Sequence, residues 1–107
     1  MGARVNYIFD DGSQALAVMY SHWGADSINA DLEAAFAHAE PRKGDSTYWT
    51  RMVMSFLIND ADAILDETGF GIFAITRDEM NSLDNWGENV IISVEDATHD
   101  YEGRDYA

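Results

Sequence analysis

Tyr20, His22 and Trp23 set a phenol, an imidazole and an indole N–H close together in the chain. If this stretch joins a strand to a helix, those tips gather near a helix N-terminus. There, free backbone N–H groups favour an anion, and a histidine changes charge near neutral pH. Arg51, if it reaches the same junction, and Phe70 complete the candidate pocket. The duller reading has Trp23 plugging one end of the core while Ser21 or His22 bonds backbone. Ser21 and His22 do not form a nucleophile–base pair, because neighbouring strand residues point to opposite faces. Arg51 follows Tyr48 within one helical turn and reads first as a half-buried structural arginine, paired with an acid or laid over a ring.

Asp60, Asp62, Asp66 and Glu67 invite a metal reading. An EF-hand loop needs oxygen ligands at its first, third and fifth positions, glycine at the sixth and glutamate at the twelfth. Counted from Asp60, those last three positions fall on Ile64, Leu65 and Gly71, so the motif fails. Clustered acids of this kind hold a divalent ion only weakly. His22, His38 and His99 share no paired-ligand spacing. Thr68-Gly69-Phe70-Gly71 has too few glycines and precedes a strand, so it is no phosphate loop. A nucleophile–base pair, a metal cage and a cofactor fingerprint are all missing. No catalytic residue, metal or cofactor is expected, and a binding protein is the better expectation than an enzyme.

The elements that must position these groups form one acidic α+β domain over residues 1–107. Val5, Tyr7 and Phe9 alternate within a β-branched and aromatic run, and Asp10-Asp11-Gly12-Ser13 follows as a turn. Ala15 to Tyr20 is the return strand. A helix capped by Asp26 or Ser27 carries Ile28, Leu32, Ala35, Phe36 and Ala39 at helical spacing, and Pro41 stops it. Asp45 or Ser46 caps a second helix, with Trp49, Met52, Val53, Phe56, Leu57 and Ala61 as its stripe. Gly69 to Thr76 is a third strand, residues 77–88 are a polar loop with room for one helical turn, and Val90 to Val94 is a buried strand. Residues 95–101 give a short edge strand, or join about 96–107 as a frayed acidic tail. The ββααββ order predicts a two-layer sandwich, an antiparallel sheet covered on one face by two helices.

Charge limits the partners. With 20 Asp+Glu against 6 Lys+Arg the net charge is −14, beyond the magnitude of about 2–8 that a small soluble domain carries. It is also uneven: residues 60–107 hold 13 acids and 2 bases. Six scattered bases make no track for phosphates, so direct nucleic-acid binding and anionic membranes are both disfavoured. No run of 18 apolar residues exists to span a bilayer, no basic start and apolar run suggest a secretory leader, and zero cysteines exclude disulfides. The favoured partner is a basic protein surface, reached through long-range attraction. The plain alternative is a merely solvated acidic face. DNA carries one charge per ~1.7 Å of axis, so a mimic needs carboxylates spread over an extended face. Asp60, Asp62, Asp66 and Glu67, then Asp84, Glu88, Glu95, Asp96, Asp100 and Glu102 are the candidates, with Trp86 as an aromatic anchor. An unpaired edge strand also allows a symmetric homodimer.

Tyr20-Ser-His-Trp-Gly24, Ser46-Thr-Tyr-Trp-Thr-Arg51 and Thr68-Gly-Phe-Gly-Ile72 stand in an order and spacing that resembles a group of small proteins of tailed bacteriophages and prophages, over roughly residues 4–95. The resemblance implies a phage accessory product acting in the cytoplasm of an infected bacterium and supplies no activity. Together with the charge, it leads to the expectation of an inhibitor of a host nucleic-acid-handling or defence protein, such as a nuclease or CRISPR complex, by DNA mimicry. Two alternatives are a small-molecule, nucleotide-like binder using the His22, Trp23 and Arg51 pocket, and a phage structural or assembly component.

Overall fold

The computed structural model describes residues 4–21, 27–60, 70–80, 82–83 and 88–101. Strands β1 (Val5–Asp10) and β2 (Ala15–Ser21) form the expected hairpin, paired from Val5 with Ser21 to Phe9 with Ala17. The turn is held by its own acids: Gly12 N–H donates to Asp10 Oδ1 at 2.9 Å and Ser13 N–H to Asp11 Oδ1 at 3.0 Å. Gly12 sits at φ +86°, a conformation that a Cβ makes costly. Helix α1 (Ile28–Ala39) ends where Glu40–Arg42 tightens into a 3₁₀ turn around Pro41. Helix α2 (Ser46–Asp60) begins with Trp49 N–H donating to the Asp45 carbonyl at 2.8 Å, which puts Asp45 at the cap position. Strand β3 (Phe70–Thr76) leads into a 3₁₀ turn, Arg77–Glu79, and strands β4 (Glu88–Ser93) and β5 (Thr98–Asp100) complete the sheet.

The strand order is β3-β2-β1-β4-β5. The fold is therefore α+β with two helices against a sheet, but the sheet is mixed where an antiparallel one was expected. β1 and β4 run parallel, Val5 beside Glu88 through Asp10 beside Ser93, while the other three pairings are antiparallel. The reason lies in the long connection after β3. It returns the chain to the start of β1 before β4 begins, as Glu88 N–H donating to the Arg4 carbonyl marks. β5 also makes the order ββααβββ, and its pairing with β4 takes residues 98–100 out of the expected frayed tail.

Side-chain alternation sorts the core into two layers. Val5, Tyr7, Phe9, Met19, Val90 and Ile92 face the helices and meet Ile28, Leu32, Ala35, Trp49, Val53 and Leu57. Ile8, Leu16, Val18 and Ile75 point the other way, beside Ile91 of β4, and are packed by Met80 and Leu83. The same connection that makes the sheet mixed thus roofs its second face. Asn6, fully buried on that face, donates to Asn89 Oδ1 at 2.8 Å, and Asn89 donates to the Leu83 carbonyl at 3.2 Å. This chain of amides ties the connection to the parallel pair, since a buried amide must find partners. No helix among the described residues is long and apolar enough to cross a membrane.

Candidate functional site

β1, β3 and β4 all run the same way, so their C-terminal ends share one end of the molecule with the N-terminus of α2. Val94 N–H donating to the Asp10 carbonyl at 3.0 Å closes that end between the parallel strands. Asp11, Gly44, Ser46, Val94 and Glu95 line a shallow groove of about 200 Å³ there. A second groove, of about 240 Å³, adjoins it through Asp11 and Ser46 and adds Phe9, Ala17, Thr47 and Thr50. Asp45, beside Ser46, and the exposed Asp96 and Asp78 bring further carboxylates to this end.

One cation at this end is already engaged. Arg77 Nη2 lies 2.6 Å from Asp10 Oδ1 and Nη1 lies 3.2 Å from Oδ2, a two-pronged pair. The same guanidinium donates to the Ser13 carbonyl, locking the hairpin turn to the end of β3. The hydrogen bond from Arg77 holds the Asp10 carboxyl below its ordinary range. Glu79 is lowered too, by bonds from the Thr76 backbone N–H and hydroxyl. This is the only ion pair among the described residues, and it leaves exposed Asp11, Asp78, Glu95 and Asp96 outside it.

The expected partner-binding acids divide. Glu95 and Asp96 stand together in the β4–β5 turn. Glu88 lies at the opposite end of β4, and Asp100 pairs with Ile91 on β5. Glu88 and Glu95, seven residues apart along β4 and into the turn after it, are separated by roughly 20 Å or a little more at ~3.3 Å per residue. Four charges along that edge are about one-third as dense as the phosphates of a duplex. Asp60 ends α2. The Asp60 side chain and Asp62, Asp66, Glu67, Asp84, Trp86 and Glu102 lie outside the described residues.

His22 and Trp23 of the expected pocket also lie outside the described residues. The remaining three members do not converge. Tyr20 shares the face of Val18, away from the helices, while Phe70, opposite Ser21, packs into the helix-side core. Arg51 is exposed on α2, which corrects its reading as half-buried. The guanidinium laid over a ring is that of Arg42, 5.1 Å from the centroid of Tyr48. Among the described residues no group of three His, Asp or Glu could hold a metal ion.

The group that pattern reading missed is Asp11, legible only as a turn residue until the topology sets it in one groove with Glu95. No family model, curated protein or solved structure matches the chain.

Proposed function

We propose that this protein is an acidic binding module that covers a basic, nucleic-acid-handling surface of another protein. The observation carrying this reading is a net charge of −14 with exposed carboxylates at Asp11, Asp78, Glu95 and Asp96 around the strand ends. Carboxylates outnumbering the cations around them repel one another, and a complementary basic surface relieves that repulsion and speeds encounter. The likeness of the three short motifs to phage proteins extends the reading to an inhibitor of a bacterial host nuclease or defence complex. DNA mimicry in the full sense needs more than the β4–β5 edge. It requires the acids of 60–67, with Asp84 and Glu102, to continue the track.

The test is retention of bacterial proteins on the immobilised protein at low and then high salt. A basic nucleic-acid-binding protein, held at low salt and released as screening rises, is the expected result. Glu95→Lys, Asp96→Lys and Asp100→Lys together should abolish that retention without altering the circular dichroism of the fold. Retention that ignores both salt and the triple variant would overturn the electrostatic reading.

A further inference from the structure

β3 forms an edge of the sheet, bonded to β2 on one side and, among the described residues, to no strand on the other. Its surface is apolar: Ile72 is 63% exposed, Phe73 is 38% exposed, and Ala74 beside them is exposed as well. Sheet edges of soluble proteins are ordinarily blunted by a charge, a proline or a bulge. From Phe70 to Thr76 β3 has neither charge nor proline, and its pairing with β2 is regular from Ala15 with Thr76 to Ser21 with Phe70.

A shallow groove of about 370 Å³ lies here, lined by Tyr20, Gly71, Ile72 and Phe73. Ile72 pairs with Met19 on the helix side, whereas Gly71 and Phe73 pair with Tyr20 and Val18 on the other. The groove thus lies mainly on the face away from the helices, over β2 and β3, and reaches the edge strand at Ile72. No atom lies within 4 Å of where a Cβ would stand on Gly71, so a side chain arriving beside Tyr20 has room.

We infer that β3 accepts an extended segment of a partner protein as a sixth strand, apolar at its centre and basic at its flanks. Backbone groups of β3 that pair with no strand among the described residues supply the affinity of strand addition, and the alternating side chains supply the choice of partner. The basic flanks rest on the binding function proposed above. Acids precede β3 in the sequence at Asp60, Asp62, Asp66 and Glu67, and Asp78 and Glu79 follow it beyond Arg77, whose charge Asp10 already pairs. A second copy pairing with β3 in either direction would set acid-flanked ends against acid-flanked ends, with a charge of −14 on each chain. Lysines or arginines at those places turn the same repulsion into attraction.

The experiment uses a labelled peptide of alternating valine and threonine with a lysine pair at each end, titrated by fluorescence anisotropy and by amide NMR. The expected result is saturable binding with the largest shifts in Phe70–Thr76. A glutamate-flanked version should bind about tenfold more weakly or worse, and Ile72→Lys or Phe73→Lys should cost about tenfold. Methylating alternate backbone nitrogens of the peptide should abolish binding to the unaltered protein, a readout that no folding defect can imitate. Equal binding of the methylated or glutamate-flanked peptide overturns the inference. So does sedimentation as a dimer that Ile72→Lys returns to monomer, because the edge then serves a second copy. Shifts confined to Glu95–Ala97 and lost in the Glu95, Asp96 and Asp100 charge reversal overturn the edge site while leaving the acidic binding function standing.

Discussion

β3 and β5 both terminate the sheet, yet they present different surfaces. β5 is only Thr98–Asp100, polar throughout, with Asp100 exposed at its end. Its central residue is pinned: His99 Nε2 lies 2.7 Å from Asn29 Oδ1, and its ring sits 5.9 Å from that of Phe36. β3 runs for 7 residues and leaves Ile72, Phe73 and Ala74 exposed. Shortness, charge and cover are the usual protections of an edge, and β5 has all of them. Among the described residues one edge is protected and the other is not, and the contact proposed for β3 would account for that difference, since an apolar edge otherwise invites aggregation.

The contrast breaks most severely from below. Trp49 is fully buried in the helix-side core and stacks 5.2 Å from Phe36, which in turn meets His99. Trp49→Ala should cost about 3–5 kcal/mol, a large share of the ~5–15 kcal/mol that a domain has. The hydrogen exchange of β5 should rise before that of β3, because the Phe36 stack loses its support. Trp49→Phe sharpens the point. The indole N–H has no partner among the described residues, so phenylalanine relieves a buried unsatisfied donor while giving up some area. It should cost clearly less than alanine, as denaturant unfolding would measure.

His99→Ala addresses β5 alone. It removes the hydrogen bond to Asn29 and a ring contact, each worth about 1 kcal/mol. A loss of about 1–2 kcal/mol with faster exchange confined to 98–100 is expected. Uniform destabilisation without local exchange would mean that the pin does not distinguish this edge.

Acid acts at the other side of the sheet, where Arg77 and Asp10 join the hairpin turn to the end of β3. Asp10 has a lowered folded pKa, caused first by the Arg77 hydrogen bond. Its contribution to stability is complete above the ordinary carboxylate value of ~3.9 and is lost as pH falls through the lowered one. Glu79, lowered by Thr76, acts in the same direction. Melting temperature should therefore fall below about pH 4, and Arg77→Gln should flatten that part of its pH dependence. An unchanged acid limb in Arg77→Gln would show that the pair does not stabilise the hairpin turn.

Local pattern made most of the elements legible. The buried stripe of α1, Ile28, Leu32, Ala35 and Ala39, stands where helical spacing put it, and so do Trp49, Val53 and Leu57 on α2. Strand direction was not legible, because β4 looks the same in sequence whether it runs with or against β1. Only the path of the connection decides between them, and that path depends on Met80 and Leu83 finding the second apolar face. The candidate site suffered for the same reason. Asp11 and Glu95 are far apart in sequence and meet through the parallel pairing, whereas Tyr20 and Phe70 look like neighbours and are divided by the sheet.

The smallest expected effect is the most discriminating. Ile72 is 63% exposed, so Ile72→Lys removes little buried area and should change stability by no more than about 0.5 kcal/mol. If β3 is open merely because nothing selected against it, the lysine should be silent in every assay except solubility. If the edge is kept for a partner strand, the same substitution leaves melting unchanged and weakens binding. A lysine at Thr98 of β5, also exposed, is the matched control, since that edge is already polar. Loss of binding in the first variant and not in the second would separate a contact edge from a guarded one at constant fold stability. Equal effects would reduce the contrast to net charge.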